Sequence, residues 1–343
     1  MASNRENGSQ FSLGQLVFGK PLATTALPHQ TVSKPIGLAV FASDALSSTA
    51  YATEEILIIL ALAGLSASTL GLSIPLAVAI SVLLIIVTIS YRQTIYASPN
   101  GGGAYIVARD NLGELPAQVA GAALLTDYIL TVAVSISSGV AQITSGIPAL
   151  LPYRVELALI VIAFITIVNL RGVRESGRVF AIPTYFFVSI MLMTLIVGFV
   201  RAALGDLPDV QGVEPVHAGT QALTLFLVLR AFSSGSAALT GIEAISNGIT
   251  AFKEPRSRNP AITLLWMSGI LVTLFLGITL LSRLIHAIPS ETETVISQIG
   301  RTVYGEGSIL YGMVLTGTAL ILLMAANTSY ADFPRLAALA AGD

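Results

Sequence analysis

The sequence predicts an all-α polytopic membrane protein made of two halves of opposite orientation, with helices 1 and 6 broken at mid-membrane. Three observations predict it. Of the 343 residues, 54% are hydrophobic and only 10% are charged, where a soluble domain carries roughly 25% charged residues. Apolar stretches of about 20 residues, long enough to cross a bilayer as helices, recur along the chain. Inside the first and sixth of these stretches lie runs of small, hydroxylated and acidic residues that suit opened helix better than an ordinary lipid anchor.

Residues 1–34 form a polar tail without the short apolar core and small-residue cleavage site of a signal peptide. The transmembrane domain covers 35–343, and the first span serves as the uncleaved insertion signal. Eight spans are expected, at about 36–62, 70–90, 117–147, 155–170, 179–201, 221–250, 261–285 and 308–331. The third and sixth are longer than a bilayer needs, so they tilt, break or project. Mean hydropathy over the whole chain is +0.81.

Basic residues give the orientation. With the N-terminus in the cytoplasm, twelve of them fall on the inside: Arg5, Lys20, Lys34, Arg92, Arg109, Arg171, Arg174, Arg178, Lys253, Arg256, Arg258 and Arg335. Arg154, Arg201, Arg283 and Arg301 fall outside, and Arg230 lies within a span, where it either snorkels outward or pairs with an acid. The excess matches the positive-inside rule, so a multi-pass protein of the cell membrane with a cytoplasmic N-terminus is expected.

The halves are related by a shift of 191 residues. Phe41–Tyr51 then aligns with Phe232–Ile242, sharing Phe, Ser and Thr, and the same shift lays span 2 on span 7 and span 3 on span 8. Span 1 runs inside to outside and span 6 the reverse, as an inverted-repeat transporter requires. Spans 1–5 form one repeat and spans 6–8 begin the next. Two further helices would follow Asp343, so the sequence reads as a fragment.

Asp44 is the most informative residue, because a carboxylate at mid-membrane costs about 2.5–3.5 kcal/mol on insertion scales and marks a functional site by default. Tyr51 follows two helical turns later, on the same side of a continuous helix. Glu54 and Glu55 read as a helix end near water. On span 3, Asp127 precedes a stripe of Tyr128, Thr131, Ser135, Ser138 and Gln142, spaced to share one helix face. Such a stripe either lines a cavity or only packs helices closely. In span 6, Gly235 and Gly241 weaken the helix, and broken helix at that depth is tolerated where it is buried or lines a cavity. Thr240 and Glu243 lie one turn apart on that segment.

The two breaks offer carbonyls, hydroxyls and two carboxylates, hard oxygen ligands that suit an alkali cation. A substrate carrying its own carboxylate would be repelled by Asp44 at a cost of several kcal/mol. A desolvated acid also holds a proton more readily, so Asp44 and Glu243 are the candidates for proton coupling.

Other chemistries are disfavoured. With no cysteine there is no disulfide, thiolate metal site or cysteine nucleophile. No GxxxxGK[ST] loop is present, so the chain is not by itself an ATP-driven pump. His29, His217 and His286 are scattered in polar segments. The basic residues follow topology rather than forming a nucleic-acid face. An enzyme is not expected, nor a cofactor, nor a bound metal other than a transported ion. The partners expected are the lipid bilayer and a small cation, and a homodimer is compatible with the pattern.

Two loops add a resemblance. Ser98-Pro-Asn-Gly-Gly-Gly-Ala-Tyr105-Ile-Val-Ala-Arg109 resembles the Pro-x-Gly-Gly-x-Tyr segment after the second helix of the amino acid-polyamine-organocation (APC) permeases. Ala251-Phe-Lys-Glu-Pro-Arg-Ser-Arg-Asn-Pro260 resembles the loop before their seventh helix. The resemblance implies a LeuT/APC-type inverted-repeat fold, usually of twelve helices, of which about eight are present. Within that superfamily, Ser43–Tyr51, Asp127-Tyr128 with Thr131 and Ser135, and Ala238–Asn247 are most similar to the KimA-type potassium permeases, proton-coupled symporters. That likeness implies potassium and proton as the partners and assigns Asp44, Tyr51, Tyr128, Thr131, Ser135, Thr240 and Glu243 to the cation pathway. It also implies that relatives carry a regulatory cytosolic region that this chain lacks. An amino acid or organic cation permease is the alternative function.

Overall fold

The computed structural model describes residues 31–98, 101, 103–170, 177–216 and 219–341. The tail over 1–30 with His29, the loop residues Pro99, Asn100 and Gly102, the basic loop containing Arg171 and Arg174, and His217 lie outside the described residues. Among the described residues, seven helical segments are long and apolar enough to cross a membrane. The first span makes the eighth, because it is divided into pieces that are individually too short.

Those pieces are α1 (Lys34–Phe41), α2 (Ser43–Ser47), a 3-10 turn (Ser48–Ala50) and α3 (Ala52–Ala61). Span 2 runs from the short α4 (Ala67–Gly71) into α5 (Ser73–Ala97), after which comes α6 (Gly103–Leu112). Span 3 is the single helix α7 (Glu114–Gly146), span 4 is α8 (Arg154–Leu170) and span 5 is α9 (Gly177–Ala203). Span 6 comprises α10 (Leu225–Gly235), a 3-10 turn (Ser236–Leu239) and α11 (Ala244–Asn247). Span 7 is α12 (Arg258–Leu284), and span 8 is α14 (Ile309–Ala341). The extra helix α13 (Val295–Tyr304) lies on the far side, between spans 7 and 8.

Both expected breaks are present. Span 1 loosens at Ala42, with φ −99° and ψ −3°, and at Tyr51, with φ −124° and ψ −20°. Span 6 opens at Thr240, which is extended at φ −62° and ψ 147°. Gly241 follows in the left-handed region at φ +78°, a conformation glycine takes without the clash of a Cβ.

The core is assembled from corresponding members of the two repeats. Span 1 packs on span 6 through α3 and α10, span 2 on span 7 through α5 and α12, and span 3 on span 8 through α7 and α14. Gly139 lets the last pair close up, since a Cβ there would sit 3.5 Å from Leu322 Cβ. Span 5 is tied to span 1 by Thr184 and Tyr185, which donate to Ala39 O (3.2 Å) and Pro35 O (2.8 Å). The outward apolar faces of α5 (Val78, Val82, Ile85, Ile86, Ile89) and α8 (Leu159, Ile160, Phe164) are exposed, as lipid-facing helix requires.

Spans 1 and 6 are joined at both ends. On the N-terminal side, Val32 N donates to Ala251 O (2.8 Å) and Lys253 N to Val32 O (3.1 Å), while Phe252 stacks on Phe41 with centroids 5.4 Å apart. On the far side, Gly219 N donates to Ala61 O and Gln221 N to Leu62 O, both at 3.0 Å, and next to the breaks Ser234 donates to Glu55 Oε2 at 2.9 Å.

The sequence reading did not anticipate α6 and α13. Each has 10 residues, too short to register as a span. Helix α13 starts at Thr294, whose side chain accepts from Ser297 N, and ends before Gly305 at φ +87°. It buries Val295, Ile296, Ile299 and Val303. Arg301 anchors its exposed side, with Nε 3.0 Å from Glu293 Oε1, Nη2 2.8 Å from Oε2, and a further bond from Nη2 to Gln211 O at 2.9 Å. The fork holds the Arg301 guanidinium above its ordinary pKa, so it is charged at any working pH. The two side chains are only 21% and 13% exposed. Removing the carboxylate strands part of that fork, at a cost of about 1–3 kcal/mol. Glu293→Ala should therefore lower the melting temperature of detergent-solubilised protein, measured by size-exclusion thermal challenge, whereas substitution of the exposed Glu291 leaves it unchanged.

Candidate functional site

The local chemistry of span 1 explains why a break there is stable. Ser47, Ser48 and Thr49 turn their hydroxyls back onto the carbonyls of Asp44 (2.7 Å), Ala45 (2.6 Å) and Leu46 (2.7 Å). Thr240 does the same to Ala237 O at 2.8 Å in span 6. These bonds satisfy backbone groups that an irregular segment would otherwise leave bare in an apolar medium. The expectation that the breaks offer free carbonyls is met only in part, because these four carbonyls already accept a hydroxyl proton.

The two breaks press directly on one another. A Cβ on Gly241 would fall 2.6 Å from Ala45 N and 2.9 Å from both Cγ and Oδ2 of Asp44. Ser48 also donates to Ala238 O across the gap at 3.3 Å. Asp44 is 3% exposed and Glu243 7% exposed, and Asp44 Oδ1 and Glu243 Oε1 have no hydrogen-bond partner. The charges that act on Asp44 are those of Glu243, Asp127 and Asp332, all acidic. Like charges about 4 Å apart repel by about 4 kcal/mol at an effective dielectric of 20. A buried acidic cluster of this kind calls for a cation or a proton.

The remaining sequence-selected residues lie on the two broken spans and on α7. Tyr51 is buried, with its phenol beside the Thr240 hydroxyl of the other break. Tyr128, Thr131 and Ser135 are buried on one face of α7. Ser135 Oγ is unpartnered, as is Gln142 Oε1 further along the stripe, while Ser138 is half-buried. Tyr128 connects α7 to span 6 by accepting from Asn247 Nδ2 at 3.4 Å.

Three readings change. Glu54 and Glu55 do not end in water: Glu54 Oε2 accepts from Val295 N (3.3 Å) at the start of α13, and Glu55 takes the Ser234 hydroxyl. Arg230 lies on the exposed face of α10, which favours the snorkelling alternative. Asn247 and Asp332 belong to the surroundings of the site although the sequence did not single them out. Asn247 is one helical turn after Glu243, a spacing that could have found it. Asp332, near the end of α14, carried no comparable signal.

Comparison with known proteins agrees with this architecture. A family model described as "Amino acid permease" matches residues 31–343. The chain is 48% identical over 326 residues to the Potassium transporter KimA of Bacillus subtilis (strain 168), covering 95% of this chain and 53% of that protein. It is 27% identical over 191 residues to the chloroplastic Cationic amino acid transporter 7 of Arabidopsis thaliana, covering 51% of this chain and 30% of the relative. The chloroplastic Cationic amino acid transporter 6 of the same plant is 25% identical over 180 residues, covering 48% and 28%. The chain thus spans about half the length of the first relative and less of the other two. With its inverted pairs of spans and two opposed helix breaks, the chain belongs to the amino acid permease family of the APC superfamily.

Proposed function

We propose that this chain forms the transport core of a secondary active potassium importer driven by the proton gradient. It lies in the cell membrane with its N-terminal side facing the cytoplasm. The observation that carries the reading is the acidic contact between the breaks, where two buried carboxylates each keep an unpartnered oxygen and the charges acting on Asp44 are all acidic. Hydroxyls of Tyr51, Tyr128, Thr131, Ser135 and Thr240 supply neutral oxygens around it. Potassium is the cargo, bound where Asp44 and Glu243 offer charge, and a proton on either acid is the coupling element. The likeness to a protein named a potassium transporter supports this reading.

A second reading is supported by the likeness to proteins named cationic amino acid transporters. A cationic amino acid brings a positive side chain to the acids. It also brings an α-carboxylate that would sit beside Asp44 in a low-dielectric site, and that repulsion disfavours it.

Growth rescue of a potassium-uptake-deficient bacterium at low potassium, with radiolabelled lysine uptake in parallel, separates the two. Rescue without lysine accumulation is expected; lysine accumulation without rescue would reverse the assignment. Asp44→Asn should abolish uptake. Glu243→Gln should retain some uptake but flatten the rise in rate that falling external pH produces, and an unchanged pH profile in that variant counts against coupling at Glu243.

Gly241→Ala puts a methyl group onto Ala45 N and the Asp44 carboxylate in a left-handed conformation. It should reduce uptake by at least about tenfold, the effect of 1.4 kcal/mol or more, while surface expression measured by immunoblot persists. The orientation is open to a direct test because the chain has no cysteine. In intact cells an impermeant maleimide should label Glu214→Cys, and should label Lys253→Cys only after permeabilisation.

A further inference from the structure

Asn247 ends α11, and its backbone N–H bonds Glu243 O at 2.8 Å, so the two side chains share a helix face. A carboxamide has a donor end and an acceptor end, and here the two ends meet different elements. The Nδ2 end donates to the Tyr128 hydroxyl of α7. The Oδ1 end rests against Gly103, where any Cβ would overlap it. Gly103 has φ +51°, and Gly101 has φ +84° with the Asn247 carbonyl 3.1 Å from where its Cβ would stand. Gly101 and Gly103, the latter opening α6, are therefore set against this one residue. On its other side Tyr128 packs with Tyr105, Ala117 and Leu336. Tyr105 belongs to the same loop-and-helix segment and touches Gly121 of α7, with its Cδ2 3.1 Å from that glycine's Cβ position.

One side chain thus joins three elements: the start of α6 at Gly103, the inner half of span 6 and the helix that carries the hydroxyl stripe. By taking one lone pair of the Tyr128 oxygen, the amide fixes which way the phenol presents its remaining lone pair and its proton. By filling the space over Gly103, it brings the start of α6 against α11.

We propose that Asn247 is a positioning residue that orients the Tyr128 phenol towards the transported cation and, through Gly103, closes the cytoplasmic side beneath the site. The orienting role rests on the cation-transport reading above; the closing role does not depend on what is carried. Opening towards the cytoplasm then requires Asn247 to leave Gly103, which also releases the phenol, so closure and cation affinity are linked.

Two measurements on the protein in proteoliposomes test this. The first is rubidium uptake by the wild type, Asn247→Ala, Tyr128→Phe and the double variant. Asn247→Ala should raise KM by roughly 3- to 10-fold, the size of one net hydrogen bond at 1.4 kcal/mol per tenfold. Combined with Tyr128→Phe it should add less than about twofold, because the two residues act through one interaction. The second is the rate at which maleimide applied to the cytoplasmic face modifies Ser246→Cys, a buried position whose hydroxyl has no partner. Asn247→Ala should raise that rate by about threefold or more, since the closed form loses roughly one hydrogen bond's worth of stability.

Additive KM effects, or an unchanged modification rate, would overturn the proposal. If the wild type moves no rubidium, the potassium reading fails. The modification rate then decides the closing role alone, a rise supporting it and no change refuting it.

Discussion

The structure depends on the contact between Gly241 and the Ala45–Asp44 backbone. Two helices are interrupted at the same depth, and an interruption in lipid exposes peptide groups that have no water to bond. Each break is made tolerable by being buried against the other, and glycine permits that approach because a Cβ would occupy the Ala45 amide and the Asp44 carboxyl group. The Ser47–Thr49 hydroxyls then silence the loosened carbonyls. Among the buried side-chain oxygens that stay unsatisfied, two belong to acids, Asp44 and Glu243. The sealed break thus leaves carboxylate oxygens open where the two spans meet.

The pairing of spans gives this contact its surroundings. A weak sequence repeat relates spans 1, 2 and 3 to spans 6, 7 and 8, and in the fold each member packs on its own counterpart. The breaks therefore face each other across the approximate symmetry, while α7 and α14 stand as a second pair alongside. The Tyr128–Asn247 bond and the charge of Asp332 connect that second pair to the acids of the first.

Much of this was legible in the sequence. Span positions followed from hydropathy, and both breaks from small residues and an acid inside apolar runs. All seven selected side chains lie in or beside the two breaks or on the buried face of α7. What escaped had physical reasons. Helices α6 and α13 are too short for an apolar window, and α13 is defined by a cap and a terminal glycine instead. Glu54 looks solvated because it sits near a helix end, yet its partner is an amide 241 residues away. Asn247 resembles any polar residue at the end of a span until the loop glycines are seen resting on it. The basic loop after span 4 contributed to the orientation, but Arg171 and Arg174 lie outside the described residues.

The ties at the two ends of spans 1 and 6 carry a mechanical consequence. A backbone bridge and stacked rings fasten them on one side, and backbone bonds from Gly219 and Gln221 to Ala61 and Leu62 fasten them on the other. Interrupted helices are ordinarily regarded as joints that let their halves swing separately. Here the four half-helices are laced into a single strut, stiff along its length although each member is broken. Because the ties lie on both sides of the breaks, the separation of the two acids is set by the paired spans as one unit and not by either helix alone.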